Sequence, residues 1–177
     1  MKPLAPKTTL QNRYQITELI GKGGMGEVYL AIDQRLGHSV ALKRTTVGDD
    51  ILLAEAFERE ARTLAQLRHN VLPKVSDHFL ENDEQFLVMD YISGEDLSER
   101  LKATNKPFPL NWVMFWADQL LEALNYLHTH NPPIIHRDIK PQNLKLTGDN
   151  NVVLLDFGLS KNTIGTRVTT SGSVVGY

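Results

Sequence analysis

Gly21-Lys22-Gly23-Gly24-Met25-Gly26 places four glycines in six residues, with strand-like runs on both sides. Tyr14-Gln15-Ile16 and Leu19-Ile20 lead in, and Glu27-Val28-Tyr29-Leu30-Ala31-Ile32 leads out. A glycine hairpin between two strands can lay its backbone over phosphates, because no Cβ blocks the approach. The glycines alone fit a plain flexible hairpin equally well. Their G-x-G-x-x-G spacing also occurs in dinucleotide-binding folds, where the glycines open a helix and an acid ~20 residues on holds the ribose. Here the chain continues as a strand, and the charge at that distance is a cation, Lys43.

Lys43 ends the apolar run Val40-Ala41-Leu42. A lysine on a strand buried on one face costs desolvation unless an anion meets it. Nucleotide phosphates would supply one anion and Glu60 another. A helix is expected over roughly Ile51 to Arg68, where Phe57, Leu64 and Leu67 repeat at helical spacing. Glu60 projects from that apolar stripe, whereas Glu55 and Glu58 fall on the polar face with Arg59 and Arg62 as i,i+4 partners. Glu60 is therefore preferred over its two neighbours. Two further strands fit Lys74 to Leu80 and Gln85 to Met89, with Glu81-Asn82-Asp83-Glu84 as the turn.

Beyond Tyr91 the pattern changes from strands to helices. Ser93-Gly94-Glu95 reads as a linker, and Asp96 and Glu99 as a capping box opening a short helix to Lys102. Asn111 is expected to cap a longer helix reaching about His128, whose apolar face carries Trp112, Trp116, Leu120, Leu124 and Leu127. Leu144 to Leu146 and Val152 to Leu155 flank the turn Thr147-Gly148-Asp149-Asn150 as a hairpin. A strand-rich front and a helix-led back make an α+β chain of two lobes joined near Asp90 to Gly94. At 177 residues, with 41% hydrophobic and 23% charged residues, the chain can bury a sizeable core. A net charge of -2 carries no footprint for nucleic acid or an anionic membrane. The absence of cysteine excludes disulfides, thiolate metal sites and a thiol nucleophile, and suits a reducing cytosol. No stretch approaches the ~20 apolar residues of a membrane-spanning helix, and the expectation is a soluble cytoplasmic domain of a protein that could be membrane-anchored elsewhere in its length.

His136-Arg137-Asp138-Ile139-Lys140-Pro141-Gln142-Asn143 and Asp156-Phe157-Gly158 carry the chemistry. Phosphoryl transfer needs an acceptor hydroxyl held in line and neutralisation of charge on the phosphate oxygens. One carboxylate can take the hydroxyl proton, while another and an amide hold magnesium through oxygen. Asp138, Asn143 and Asp156 are the right residue types, although each aspartate taken singly also suits a turn or cap. Asp156 follows the apolar run Val152-Val153-Leu154-Leu155, which would aim it from a rigid base. His128 and His130, two residues apart, do not make a zinc site with His136.

Four motifs in order identify the resemblance: the glycine loop with Val28, the strand Val40-Ala41-Leu42-Lys43, the loop His136 to Asn143, and Asp156-Phe157-Gly158. The chain resembles the eukaryotic-type Ser/Thr protein kinases also found in bacteria, from about Tyr14 to Tyr177. The resemblance implies a protein-kinase-like two-lobe fold. Residues 1–13 would be a flexible leader and 14–90 a complete N-lobe of antiparallel sheet and one helix. Residues 91–159 would be the first part of a helical C-lobe, and 160–177 an activation segment cut short. It further implies ATP and Mg2+. Lys43 would touch the α- and β-phosphates and pair with Glu60. Asp138 would orient the acceptor, Lys140 would reach the γ-phosphate, and Asn143 and Asp156 would hold the metal. The glycine loop, residues Gly21, Lys22, Gly23, Gly24, Met25, Gly26 and Glu27, would cover the phosphates. Adenine would lie between Ile20, Val28, Ala41 and Leu144, against Met89 and the backbone of Asp90 to Ile92.

Arg137 before Asp138 resembles kinases switched by activation-segment phosphorylation, with Thr166, Thr169, Thr170, Ser171 and Ser173 as candidate sites. Protein substrates with Ser or Thr acceptors are the implied partners, and Lys140 ahead of Pro141 matches the Ser/Thr form of the loop. The family's later helices do not follow, so the long helix is expected to leave an apolar face for a missing C-lobe or a partner. A non-catalytic nucleotide-binding or interaction module is the alternative.

Overall fold

The computed structural model describes residues 2–23, 26–46 and 51–155. Six strands form the first sheet: β1 (Thr9–Leu10), β2 (Tyr14–Gly23), β3 (Gly26–Asp33), β4 (His38–Thr46), β5 (Val75–Glu81) and β6 (Glu84–Asp90). All pairings are antiparallel, in the order β1-β2-β3-β4-β6-β5. The chain leaves β4, runs through α1 (Ile51–Gln66), and returns along the outer strand before β6 fills the place beside β4.

Strand alternation divides the sheet into two faces. Tyr14, Ile16, Tyr29, Ala31, Val40, Leu42, Phe86 and Val88 pack together on one face, joined by Leu10. On the other, Leu87 and Val75 meet Phe57, Ala61 and Leu64 of α1. β4 therefore sends Val40 and Leu42 to the first core and turns Ala41 and Lys43 toward the cleft.

The segment before Tyr14 is part of the fold and not a flexible leader. Thr9 and Leu10 pair with Gln15 and Tyr14, and Leu10 is buried. The Leu4 amide donates to the Tyr29 hydroxyl at 3.0 Å, and Arg44 Nη1 donates to the Lys2 carbonyl at 2.8 Å. The polar composition that suggests a leader is satisfied by main-chain bonding, which leaves no trace in an apolar pattern.

The second half begins with α2 (Leu97–Thr104), opened by the expected reciprocal cap: the Glu99 amide donates to Asp96 Oδ1 at 2.8 Å, and the Asp96 amide to Glu99 Oε2 at 3.1 Å. α3 (Leu110–His128) starts at Pro109, so Asn111 lies within its first turn and does not cap it. The fixed φ of proline suits a helix entry, and the Pro109 carbonyl accepts from the amides of Trp112 at 3.0 Å and Val113 at 3.2 Å. Trp116, Ala123 and Leu127 of α3 are buried, with Leu120 and Leu124 packed against the same core. The hairpin β7 (Leu144–Leu146) and β8 (Val152–Leu154) lies on that helix, fixed by Trp116 Nε1 donating to the Asn150 carbonyl at 2.9 Å. Leu110, Val113, Met114 and Leu121 form an exposed apolar stripe of α3, and Phe115 is exposed beside Trp112.

Candidate active site

A cavity of about 280 Å3 opens between the sheet and the helical half. Ile20, Gly21, Val28 and Ala41 line it from β2, β3 and β4; Met89, Asp90, Tyr91 and Ile92 line it from the connection between the halves. Asp96, Glu99, Gln142, Asn143, Lys145 and Leu155 complete it from below. The expected adenine neighbours Ile20, Val28, Ala41, Met89, Asp90 and Ile92 thus share one cleft. A wider depression of about 590 Å3, lined among others by Arg68, His69, Gln119 and Asp149, contains none of the expected site residues.

Leu144 does not belong to that cleft wall. Its side chain is buried in the core with Leu146, Trp116 and Leu127, and Lys145 lines the cavity in its place. Side chains alternate along β7, so two leucines entering the core require the residue between them to face the opposite way. The Leu-Lys-Leu alternation signals that Lys145 faces away from both leucines, but which of the two faces meets the cleft is set by what the strand packs against.

Lys43 is only 3% exposed and lies opposite Val28 on one side and Leu87 on the other. Glu60, half-buried on α1, has its carboxyl pushed up to about 7. Burial is the main cause, and the nearby positive charges of Lys43 and then Arg137 pull the other way. The helix therefore brings Glu60 within electrostatic reach of both cations, but desolvation outweighs their attraction.

The loop before β7 gathers the chemistry into a few ångströms. Asn143, buried in a single 3-10 turn (Pro141–Asn143), donates from Nδ2 to the Asp138 carbonyl at 2.8 Å and to Asp138 Oδ2 at 2.9 Å. Lys140 Nζ lies 3.0 Å from the same Oδ2. An ammonium and an amide thus hold one oxygen of the carboxylate and set its plane. Arg137, just before Asp138, adopts φ 63°, a left-handed turn that costs on the order of 1 kcal/mol for a side chain of this size.

Leu155 ties this loop to the end of the second hairpin. Its amide donates to the Asn143 carbonyl at 2.8 Å, and its carbonyl accepts from His136 Nε2 at 3.0 Å. Since a carbonyl only accepts, Nε2 carries the proton, and buried His136 acts as a structural brace. Leu155 therefore sits on the wall of the cleft, bonded to Asn143, immediately ahead of Asp156 in the chain. Asp156 itself lies outside the described residues, as do Gly24, Met25 and the candidate phosphorylation sites Thr166, Thr169, Thr170, Ser171 and Ser173.

Across the described part of the glycine hairpin, Gly23 pairs with Gly26 and Lys22 with Glu27. Gly26 has φ 119°, and a Cβ there would stand 2.1 Å from the Arg44 carbonyl oxygen, so glycine is required. The Glu27 carboxylate is buried away from the cavity: Oε1 lies 3.2 Å from Lys22 Nζ, and Oε2 accepts from Arg44 Nη1 at 3.1 Å and from the Tyr29 hydroxyl at 2.5 Å. Glu27 anchors the hairpin, and Tyr29 above all, then Lys22 and Arg44, hold its carboxyl below the ordinary range. Among the described residues no cluster of three or more His, Cys, Asp or Glu side chains would hold a metal. Asn143 nevertheless suits a hard cation, because its Nδ2 is committed to Asp138 and Oδ1 remains as a ligand.

An antiparallel sheet packed with one helix, joined through Asp90 to Ile92 to a helix-led half across a cleft, makes a two-lobed α+β architecture. The profile of the protein kinase domain matches residues 14–176. Serine/threonine-protein kinase PknA of Mycobacterium tuberculosis is 36% identical over 175 residues, covering 95% of this chain and 40% of that protein. PrkC of Bacillus subtilis, also a serine/threonine-protein kinase, is 35% identical over 169 residues, covering 94% of this chain and 26% of that protein. The crystal structure of the Mycobacterium tuberculosis PknI kinase domain superposes with a TM-score of 0.75 at 29% identity, over 89% of this chain and 64% of that one. The chain belongs to the protein kinase family. It spans between 26% and 40% of the length of these curated relatives.

Proposed function

We propose that this chain carries the catalytic core of an ATP-dependent protein serine/threonine kinase, transferring the γ-phosphoryl group to Ser or Thr hydroxyls of proteins. The observation that carries the reading is the Asp138–Asn143–Lys140 cluster, which reaches the cleft through Asn143, below a wall that holds Gly21 and Val28 and, on β4, Ala41 two residues before Lys43. Adenine lies against the linker, with its 6-amino group toward the Asp90 carbonyl and its N1 and C2 edge toward the amide and carbonyl of Ile92. Lys43 meets the α- and β-phosphates, and Glu60 positions it. Asp138 accepts the hydroxyl proton, and Lys140, at hydrogen-bond distance from Asp138, reaches the γ-phosphate. Asn143 and Asp156 would hold Mg2+, which supplies neutralisation of phosphate charge. Phosphorylation at one of the five candidate Ser and Thr positions would pair with Arg137.

No helix of the described residues is long and apolar enough to cross a membrane. We place this core in the cytoplasm, where ATP and protein acceptors meet. The test is transfer of label from γ-labelled ATP to a protein acceptor by the wild type and by Asp138→Ala. A loss on the order of 10²–10⁴-fold is expected for removing a positioned base. Undiminished transfer by Asp138→Ala refutes the assignment. Binding of Mg-ATP with no transfer by the wild type supports a non-catalytic nucleotide-binding module instead.

A further inference from the structure

We propose that Lys145 is a specificity-determining residue that makes the base-binding end of the cleft reject purines carrying a 2-amino group. The inference rests on the adenine placement given above. Lys145 is the single lysine or arginine among the described residues lining the cavity, where Asp90, Asp96 and Glu99 supply three acids. Its Nζ donates to the Ile92 carbonyl at 3.1 Å and stands 5.8 Å from the centre of the Tyr91 ring. The ammonium is therefore spent on the linker, and the methylene stem is left to face a ligand.

The scaffold around Lys145 is stiff. Leu144 and Leu146 on either side are buried in the core. Lys145 forms a main-chain bridge with Asp96, and the Leu146 amide donates to the Glu95 carbonyl at 3.1 Å. Gly94, at φ 110°, lies so close to β7 that a Cβ would stand 2.4 Å from the Leu146 carbonyl oxygen. The linker is thus pressed onto β7 by its own backbone, and the Lys145–Ile92 contact is held on a rigid support.

Adenine offers the linker a donor, an acceptor and then C2–H, so nothing on the base competes for the Ile92 carbonyl. A 2-amino group would bring a second donor to that oxygen. The carbonyl has two lone pairs, but one is taken by an ammonium whose charge opposes an approaching amine hydrogen. Either the amine goes unpaired or the lysine loses its partner, and an unpaired polar group in a closed site discriminates strongly.

The test compares binding of ADP and 2,6-diaminopurine riboside diphosphate to the full chain as wild type, Lys145→Met and Lys145→Arg, by calorimetric titration. This pair isolates the 2-amino group, which guanine confounds with its 6-oxygen. The wild type is expected to favour ADP by on the order of 10-fold or more. Lys145→Met keeps an apolar stem of similar length and frees the carbonyl, so its preference should fall to within about 3-fold. Lys145→Arg restores a donor and should return most of the discrimination. Equal ADP preference in the wild type and Lys145→Met, with both binding ADP, overturns the inference and leaves the nucleotide reading standing. Failure of the wild type to bind either nucleotide overturns that reading and the inference with it.

Discussion

Replacing Glu60 with Gln should make the protein more stable at pH 8 and leave it nearly unchanged at pH 5. The Glu60 carboxyl is raised from its ordinary 4.5 to about 7, first by burial, with Lys43 and Arg137 offsetting only part of the cost. Between those two values the folded chain holds a proton that the unfolded chain has released. Stability therefore falls as pH rises through this window, and the full penalty is present above about 7. That displacement is worth at most ~3 kcal/mol against the charged form. Solvent reaches part of this side chain, which reduces the expected penalty to ~1–2 kcal/mol. Glutamine has a similar shape and no charge, so it should recover that amount at pH 8 and little at pH 5. Urea unfolding of both proteins at the two pH values measures the difference directly. A stability difference that is the same at pH 5 and pH 8, or a destabilisation growing toward pH 8, would refute the reasoning by showing that Glu60 is held as a well-compensated ion pair.

Asp33, almost fully buried, accepts from Arg13 Nη2 at 2.7 Å and from the amides of Arg35 and Leu36, and its carboxyl is lowered to about 2, by Arg13 above all. Its stabilisation is present above the ordinary carboxylate range and is lost as pH falls through about 2. Asp33→Asn should cost about 2–3 kcal/mol at pH 7 in urea unfolding, and the difference from wild type should shrink as pH approaches 2. Gly26→Ala must place a methyl group against the Arg44 carbonyl at a φ that alanine avoids. Titration with ADP should show affinity weakened by about 10-fold, since forcing such a backbone position costs ~1–3 kcal/mol. An unchanged affinity would show that the hairpin's form does not matter to the ligand.

Much of this architecture was readable from residue order because it depends on local periodicity. The alternation through Val40 to Lys43, the helical spacing of Phe57 and Leu64, and the Asp96–Glu99 cap each report a local conformation, and each appears where expected. The loop from His136 to Asn143 was equally legible, since one 3-10 turn brings Asn143 back to Asp138. Where proline served as a helix entry, the Asn111 cap was misplaced by the same local logic, because two residue types compete for that role.

What residue order alone determined was most of the elements and the four motifs that mark the protein kinase family. Tertiary structure alone decided that β6 enters between β4 and β5, that the segment before Tyr14 belongs to the sheet, and that Lys145 and not Leu144 faces the cleft. It also decided that burial governs Glu60 more than its cations do. The physical reason is range. Periodicity and capping are settled within a few residues, whereas strand insertion, the face a three-residue strand presents and the solvent left around a carboxylate depend on groups brought together from distant parts of the chain.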